Sequence, residues 1–311
     1  MKSYQRMTLP EIKDLNRDKT IFLMAISPLE VHGPHLPVGT DLFIAEALLT
    51  KYGEELAQEY PGYFLLQLPP LYTGANPVPA QGSIPIRARV LEKLVYDIGQ
   101  GLAEQGFHYL FLADNHGGPG HQLALEAAAR KLWKKYHFYL INPFGLVFRY
   151  MVQHDRAFLA MTGLEPGVCG DDPDSHAGTN ETSLMLYLNQ QLQQRGEAGF
   201  DFNYQQLESS VLPERTGIAR LISGLARVLN KTGARILAAD LLHLANTLAW
   251  VGDSAMKPYL GAPGRASAEA GRAMFEARIS VAMSLFKKAL AGERVEIRPM
   301  LWSVRFLRWF G

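Results

Sequence analysis

The chain has 311 residues, a length within reach of one large α/β domain, and a folded chain of that size hides roughly 75% of the surface its extended form exposes. Hydrophobic residues make up 48% and charged residues 20%, which excludes a disordered or fibrous protein. The 31 Lys and Arg against 30 Asp and Glu leave a net charge of +1, so no overall pull toward nucleic acid or anionic membrane follows. One cysteine, Cys169, stands against nine histidines. That excludes a disulfide framework and a Cys-rich zinc site, and leaves His, Asp and Glu as the residues able to hold a metal.

The first residues, MKSYQRMTLPEIKDLNRDKT, lack the apolar core of a signal peptide. No stretch approaches the ~18 apolar residues of a membrane span. The expectation is a cytoplasmic protein without integral membrane contact. IFLMAIS (21–27) reads as a strand, and the Gly/Pro-rich SPLEVHGPHLPVGTD that follows reads as loop. From Asp41 the apolar residues recur at helical spacing to about residue 60. FLLQLPPL (64–71) is a second strand, 86–106 an amphipathic helix and HYLFLAD (108–114) a third strand. A helix over Gln122–Tyr136 and a fourth strand at HFYLIN (137–142) follow. Apolar strands without alternation, separated by helices, predict a three-layer α/β/α sandwich around a mainly parallel sheet. Residues 181–194 and most of 264–292 read as helices, whereas 195–262 show no clean pattern. With no polar linker and no repeat, residues 1–311 read as a single domain. It closes on an aromatic and basic tail (295–311) in which Trp302, Phe306, Trp309 and Phe310 interleave with Arg305 and Arg308. That tail reads as docked on its own fold or a neighbouring subunit, with an interfacial amphipathic helix as the alternative.

Three clusters carry chemistry. Glu30 and His32 are two apart at the end of the first strand, so in extended backbone their side chains point to one side, beyond the carboxyl edge where open α/β sheets place ligands. Asp41 stands at the mouth of the next helix, where it can cap the free N–H groups or bind and bridge metal ions. His35 reads as a structural neighbour. The third strand runs into Asn115-His116-Gly117-Gly118-Pro119-Gly120-His121, which puts His116 at the same sheet edge. This turn lacks the G-x-G-x-x-G spacing and the lysine of a phosphate-binding loop. His121 reads as a helix-surface residue or a neighbour of the site. The third cluster is GDDPDSHAGTNETS, with His176 five residues before Glu181 at the start of an apolar helix. Asp171, Asp172 and Asp174 crowd that loop, and a nearby cation or basic group would relieve their repulsion. His108, His137, His154 and His243 carry no functional case.

Together these clusters resemble the creatininase family of metal-dependent amidohydrolases. SPLEVHGPHLPVGTD is similar to that family's E-x-H-G-P-H-L-P-x-G-T-D signature, NHGGPG to its N-G-H-G-G-N and HAGTNETS to its H-A-G-x-x-E-T-S. GAPGRASAEAGRAMFEA (261–277) resembles its G-x-P-x-x-A-x-x-x-G stretch. The resemblance spans nearly the whole chain and implies one or two divalent ions per subunit. Glu30, His32, Asp41 and His116 would be ligands, Asp41 bridging. His176 and Glu181 would be catalytic, with Glu181 a further ligand. Gly117, Asp172, Asp174 and Asn76 are the expected substrate contacts. The creatinine-hydrolysing members carry a ligand Glu where this chain has Gly118, a Tyr where it has Gly117 and a Trp where it has Asp172, so creatinine is not the expected substrate. The stretch 213–248 aligns with no known pattern and is a place for residues that shape substrate choice.

Imidazole and carboxylate ligands suit Zn²⁺, Mn²⁺ or Fe²⁺, and such an ion lowers the pKa of bound water from 15.7 to about 7. The expected reaction is attack of hydroxide on a small, non-peptide amide or formamide, with His176 passing a proton to the leaving nitrogen. Maturation of a modified peptide precursor is the alternative among enzymes, and a non-catalytic binding or assembly protein the alternative outside them. Family resemblance also implies a homo-oligomer, often a hexamer.

Overall fold

The computed structural model describes residues 1–309, with side chains to Phe306; Phe310 and the side chains of Arg308 and Trp309, expected parts of the tail, lie outside the described residues. Six strands form one parallel sheet: β1 (Lys2–Ser3), β2 (Thr20–Ser27), β3 (Phe64–Gln67), β4 (Leu71–Tyr72), β5 (Tyr109–Ala113) and β6 (Tyr139–Ile141). The order is β1-β3-β2-β5-β6, with β4 pairing the end of β2. Among the described residues ten α-helices accompany it: α1 (Leu9–Lys13), α2 (Thr40–Glu59), α3 (Ala88–Glu104), α4 (Pro119–Tyr136), α5 (Phe144–Val152), α6 (Arg156–Thr162), α7 (Thr179–Gln194), α8 (Gly217–Lys231), α9 (Arg235–Val251) and α10 (Ala268–Leu290).

All eight residues of β2 are buried, because helices cover both faces of the sheet. The pleat sends alternate residues to opposite sides. Ile21, Leu23 and Ala25 join the core built with α2, α7 and α10. Phe22, Met24 and Ile26 join the core built with α3 and α4. β5 divides the same way, Phe111 and Ala113 to one layer and Leu110 and Leu112 to the other. The three-layer α/β/α sandwich expected from the uninterrupted apolar strands is the fold observed. On the first layer Phe111 stacks on Phe286 of α10 with centroids 4.1 Å apart. At Gly271 a Cβ would overlap Ser183 O, so glycine there lets α10 lie directly on the backbone of α7.

Several boundaries differ from the sequence expectation. β2 stops at Ser27, so Glu30 and His32 belong to the loop and not to an extended strand end. FLLQLPPL divides into β3 and the short β4 around Pro69 and Pro70, since proline has no N–H for a ladder. Helix α4 begins at Pro119, three residues earlier than expected, and His121 within it is fully buried against Asp114 rather than on the surface. The unpatterned stretch 195–262 contains two helices, α8 and α9, packed on each other.

Leu301 and Val304 of the tail are buried against α4 and α9, and Met300 is buried in the core that includes α10. The Asp240 carboxylate in α9 accepts from Leu301 N and Ser303 N at 3.0 Å each and pairs with Arg149 at 2.9 Å. Arg149 in turn donates to the carbonyls of Arg298 and Pro299. Phe306 is exposed. No helix among the described residues is long and apolar enough to cross a membrane.

Candidate metal centre and active site

β2 and β5 are neighbours, paired from Ile21–Tyr109 to Ala25–Ala113. The loops leaving their carboxyl ends therefore meet. The first loop folds back on itself: Glu30 N donates to Val38 O at 2.9 Å, and His32 pairs with Leu36 across a one-bridge turn. Gly33, at φ +67°, makes the reversal that a side chain would oppose. This turn, and not strand alternation, sets Glu30 beside His32. Asp41 is the second residue of α2, behind an N-terminal Gly39, so it is not the cap but points inward from the first turn. After β5, Asp114 fixes the second loop. Its carboxylate accepts from Ser27 Oγ (2.9 Å), His116 N (3.0 Å), Gln122 Nε2 (2.6 Å) and Asn142 Nδ2 (3.1 Å). The third loop delivers His176, and Glu181 from the first turn of α7.

Glu30, His32, Asp41, His116, His176 and Glu181 are all buried and converge. Each histidine is locked by a backbone carbonyl. His32 Nδ1 bonds Glu30 O (2.9 Å), His116 Nε2 bonds Ala75 O (3.0 Å) and His176 Nε2 bonds Val31 O (2.8 Å). In the neutral ring those nitrogens carry the proton, and the opposite nitrogens face carboxylates as lone pairs. His116 Nδ1 lies 2.8 Å from Glu30 Oε2 and 3.3 Å from Asp41 Oδ2. His32 Nε2 lies 3.4 Å from Asp41 Oδ1 and 3.6 Å from Glu181 Oε2. His176 Nδ1 lies 4.0 Å from both Glu30 Oε1 and Glu181 Oε2. Lone pairs facing anionic oxygens require a positive charge among them, either protons or a cation. With protons alone, burial opposes charging His32, but Asp41 and Glu181 overcome it and hold the ring's pKa up at about 10. Burial likewise opposes the ionised Asp41, and His32 and His116 hold its pKa far down.

Glu30 Oε2, His32 Nε2 and Asp41 Oδ2 are buried with no hydrogen-bond partner of good geometry. The donor set closes into three triads within 4.8 Å, Glu30/Asp41/His116, His32/Asp41/Glu181 and Glu30/His32/His176, the first two of which share Asp41. Backbone-oriented imidazoles with a carboxylate common to two triads fit a pair of divalent cations.

Gly118, where the family resemblance implies a ligand Glu in the creatinine-hydrolysing members, has no room for one: a Cβ there would overlap His116 Nε2 and stand 2.6 Å from Ala75 O. Two residues behind the triads complete the centre. Asn115 Nδ2 donates to Asp41 Oδ1 (2.8 Å) and Glu181 Oε1 (2.9 Å), and Asn115 Oδ1 accepts from Arg278. Burial pushes the fully buried Arg278 guanidinium down to about 10. It thus keeps its charge at neutral pH and balances the carboxylates through Asn115. The sequence reading missed Arg278; its signal is an arginine in the middle of the buried stripe Gly271, Met274, Phe275, Val281, Ala282 of α10.

The centre forms the floor of a cavity of about 670 Å³. Gly117, Asp172, Asp174 and Asn76, the expected substrate contacts, all line it. Two of them are committed elsewhere. Asp174 accepts from the backbone N–H groups of Gly170, Thr179 and Asn180, and Asn76 Oδ1 accepts from Gly120 N at 2.8 Å. Asp172 pairs with His243 Nδ1 at 2.6 Å and with Asn246, which also holds Arg215 Nε at 2.7 Å. His243, without a role in the sequence reading, is therefore part of the cavity wall. Most of the remaining wall is apolar: Leu212, Ile222, Leu244, Leu248 and Trp250 come from α8, α9 and the segments beside them. Trp250 lies against His176 with centroids 5.6 Å apart. His35 is not a ligand but bonds Thr182 Oγ1 at 3.0 Å behind the loop.

An all-parallel sheet with a His/carboxylate cluster at its carboxyl edge defines an α/β protein with a candidate metal centre where such sheets place their ligands. Residues 5–286 match the creatininase family, described as creatinine amidohydrolase, and the chain belongs to this family of hydrolases. A putative creatinine amidohydrolase from Bacteroides fragilis superposes with a TM-score of 0.60 at 21% identity, over 94% of this chain and 98% of that one. A structure named Creatininase Mn superposes with a TM-score of 0.57 at 15% identity, over 92% and 98%. The mycofactocin precursor peptide peptidase of Mycobacterium ulcerans is 31% identical over 175 residues, 53% of this chain. The match spans 57% of that relative's length.

Proposed function

We propose that this protein is a metal-dependent amidohydrolase that cleaves a non-peptide C–N bond, a cyclic amide or formamide, in a small molecule other than creatinine. The observation that carries the reading is the orientation of His32, His116 and His176: each gives one ring nitrogen to a backbone carbonyl and turns the other toward shared carboxylates. Glu30, Asp41 and His116 would hold one divalent ion, and His32, Asp41 and Glu181 a second; Zn²⁺, Mn²⁺ and Fe²⁺ suit these donors. When bound, such ions supply Lewis acidity and acidify water to a pKa of about 7.

The chain's own groups do the rest. Asn115 occupies Asp41 Oδ1 and Glu181 Oε1, so it fixes which oxygens face the reaction centre. Ala177 N donates to Glu181 Oε2 at 2.6 Å and pins that carboxylate at the start of α7. His176 keeps its Nε2 proton on Val31 O, which leaves Nδ1 to take up a proton and deliver it to the leaving nitrogen; a positioned general acid contributes ~10²–10⁴-fold. Trp250 covers His176 and excludes water from that side. The Asp172–His243–Asn246 group offers polar contacts on an otherwise apolar wall.

The test is metal content by ICP-MS in wild type and in Asp41→Ala, with turnover of a panel of formamides and cyclic amides. Loss of both ions and of turnover in the variant is expected; full metal retention would sink the bridging assignment. The peptide-trimming reading is favoured by one finding, the name of the Mycobacterium ulcerans relative. Turnover of apolar-ended peptides with none of the small amides would establish it instead. Assembly into a homo-oligomer, expected from the family, is part of the proposal. Ile218, Leu221, Leu225 and Val228 expose apolar surface along α8 that a neighbouring subunit would cover. A monomer mass by light scattering would overturn that part.

A further inference from the structure

A second cluster of ligand types lies outside the centre described above. His154, just after α5, meets Cys169 and Asp171 in the loop that leads to His176. One ligand atom from each, an imidazole nitrogen, the thiol sulfur and a carboxylate oxygen, lies within 4.8 Å of the others. Cys169 and Asp171 are buried, while the side chain of His154 is 42% exposed and gives the cluster an opening to solvent. His154 Nε2 bonds Asp171 Oδ2 at 2.5 Å, and Gly167 N donates to the same oxygen at 2.7 Å. Asp171 Oδ1 is buried without a hydrogen-bond partner. A carboxyl oxygen left unpaired in a protein interior is costly, and beside an imidazole and a thiol the missing partner has the character of a cation.

We propose that His154, Cys169 and Asp171 bind a divalent cation of borderline softness, with Zn²⁺ as the best match, at a site separate from the His/carboxylate centre. Thiolate, imidazole and carboxylate together are a zinc ligand set. Around a tetrahedral zinc the bonds are about 2.0–2.3 Å, which sets the ligand atoms roughly 3.3–3.8 Å apart, so the cluster closes with small side-chain movements. Water from the exposed side completes the fourth position. On binding, the Cys169 thiol gives its proton to solvent and the sulfur becomes the ligand. The alternative use of this cysteine, as a nucleophile, does not suit the site: it is fully buried and lies outside the cavity lining. Position makes the site structural. The bound ion would tie the end of α5 to the loop 167–176, which carries Asp172 into the cavity wall and His176 to the reaction centre.

Cys169 is the chain's sole cysteine, so any thiolate–metal signal has one possible source. Metal-free full-length protein is loaded with Co²⁺, and the near-ultraviolet thiolate-to-cobalt charge-transfer band is recorded. The expected result is one such band in wild type, displaced by Zn²⁺ and absent in Cys169→Ser. It is retained in Asp41→Ala, which separates this site from the proposed catalytic ions. His154→Ala, altered at the solvent side, keeps the thiol and is expected to weaken the band's Co²⁺ affinity by at least the ~10–100-fold that loss of an outer-shell partner costs. Absence of the band from wild type at saturating Co²⁺, while visible cobalt bands report a filled His/carboxylate centre, would overturn the proposal. An unchanged affinity in His154→Ala would equally do so.

Discussion

At residue 118 the chain has glycine, and the reason is spatial. The backbone there passes so close to the His116 ring and the Ala75 carbonyl that even one carbon has no place. Since His116 Nε2 is held by that same carbonyl, room for a side chain can come only by moving a proposed ligand. Gly118→Ala is therefore expected to cost about 1–3 kcal/mol, the usual penalty of overpacking. It should also weaken metal binding, because the ring it displaces is one of the three in the first triad. Denaturant titration of the metal-free protein and metal affinity together check this; unchanged values in both would show that the turn yields easily.

Between elements, Asp240 is the knot that ties α5, α9 and the C-terminal segment. Its two oxygens serve Arg149, Leu301 N and Ser303 N at once, and it is fully buried. Asp240→Ala removes the charge that Arg149 faces and frees two backbone donors. Removing one partner of a buried pair costs about 3–5 kcal/mol. The expected outcome is a loss of that size in chemical denaturation, with faster proteolysis at residues 300–306. Because α9 also carries His243 and Trp250 on the cavity wall, weaker binding of substrate should accompany it. Stability equal to wild type would mean that the tail is held by Met300, Leu301 and Val304 alone.

For the whole molecule, metal occupancy and pH are linked. In the metal-free state the carboxylates raise the His32 pKa to about 10 from about 6.5 in an unfolded chain. The stabilisation by this charged ring is complete below pH ~6.5 and is lost as pH rises toward about 10. A bound cation replaces that proton, so its affinity moves the other way and grows with pH. A cation at 100 times its Kd adds about 2.7 kcal/mol. The gap in Tm between metal-loaded and metal-free protein is therefore expected to widen from pH 6 to pH 9. Calorimetry at stepped pH reads it, and a gap that narrows would contradict metal binding through His32.

Much of the architecture was legible without coordinates. Runs such as IFLMAIS are apolar at every position, and only a strand covered on both faces can use that pattern, so the layered parallel sheet followed from hydrophobic burial alone. Glu30, His32, Asp41, His116, His176 and Glu181 stood out because histidines and acids clustered after strands in glycine-rich loops. Helix α8 was legible in principle, since Ile218, Leu221, Leu225 and Val228 recur at helical spacing, although that stripe is exposed. Helix α9 was not, because the polar Asp240 and His243 are buried among its apolar residues, which blurs a one-faced period. Tertiary structure alone decided three further things. A turn, not a strand, sets Glu30 against His32. Arg278, distant in sequence, reaches the centre through Asn115 to balance its charge. Asp172 and His243, 71 residues apart, meet on the cavity wall. Local sequence dictates burial and backbone propensity, which are properties of neighbours along the chain. The pairing of charges across a core depends on which distant segments the packed sheet brings within a few ångströms.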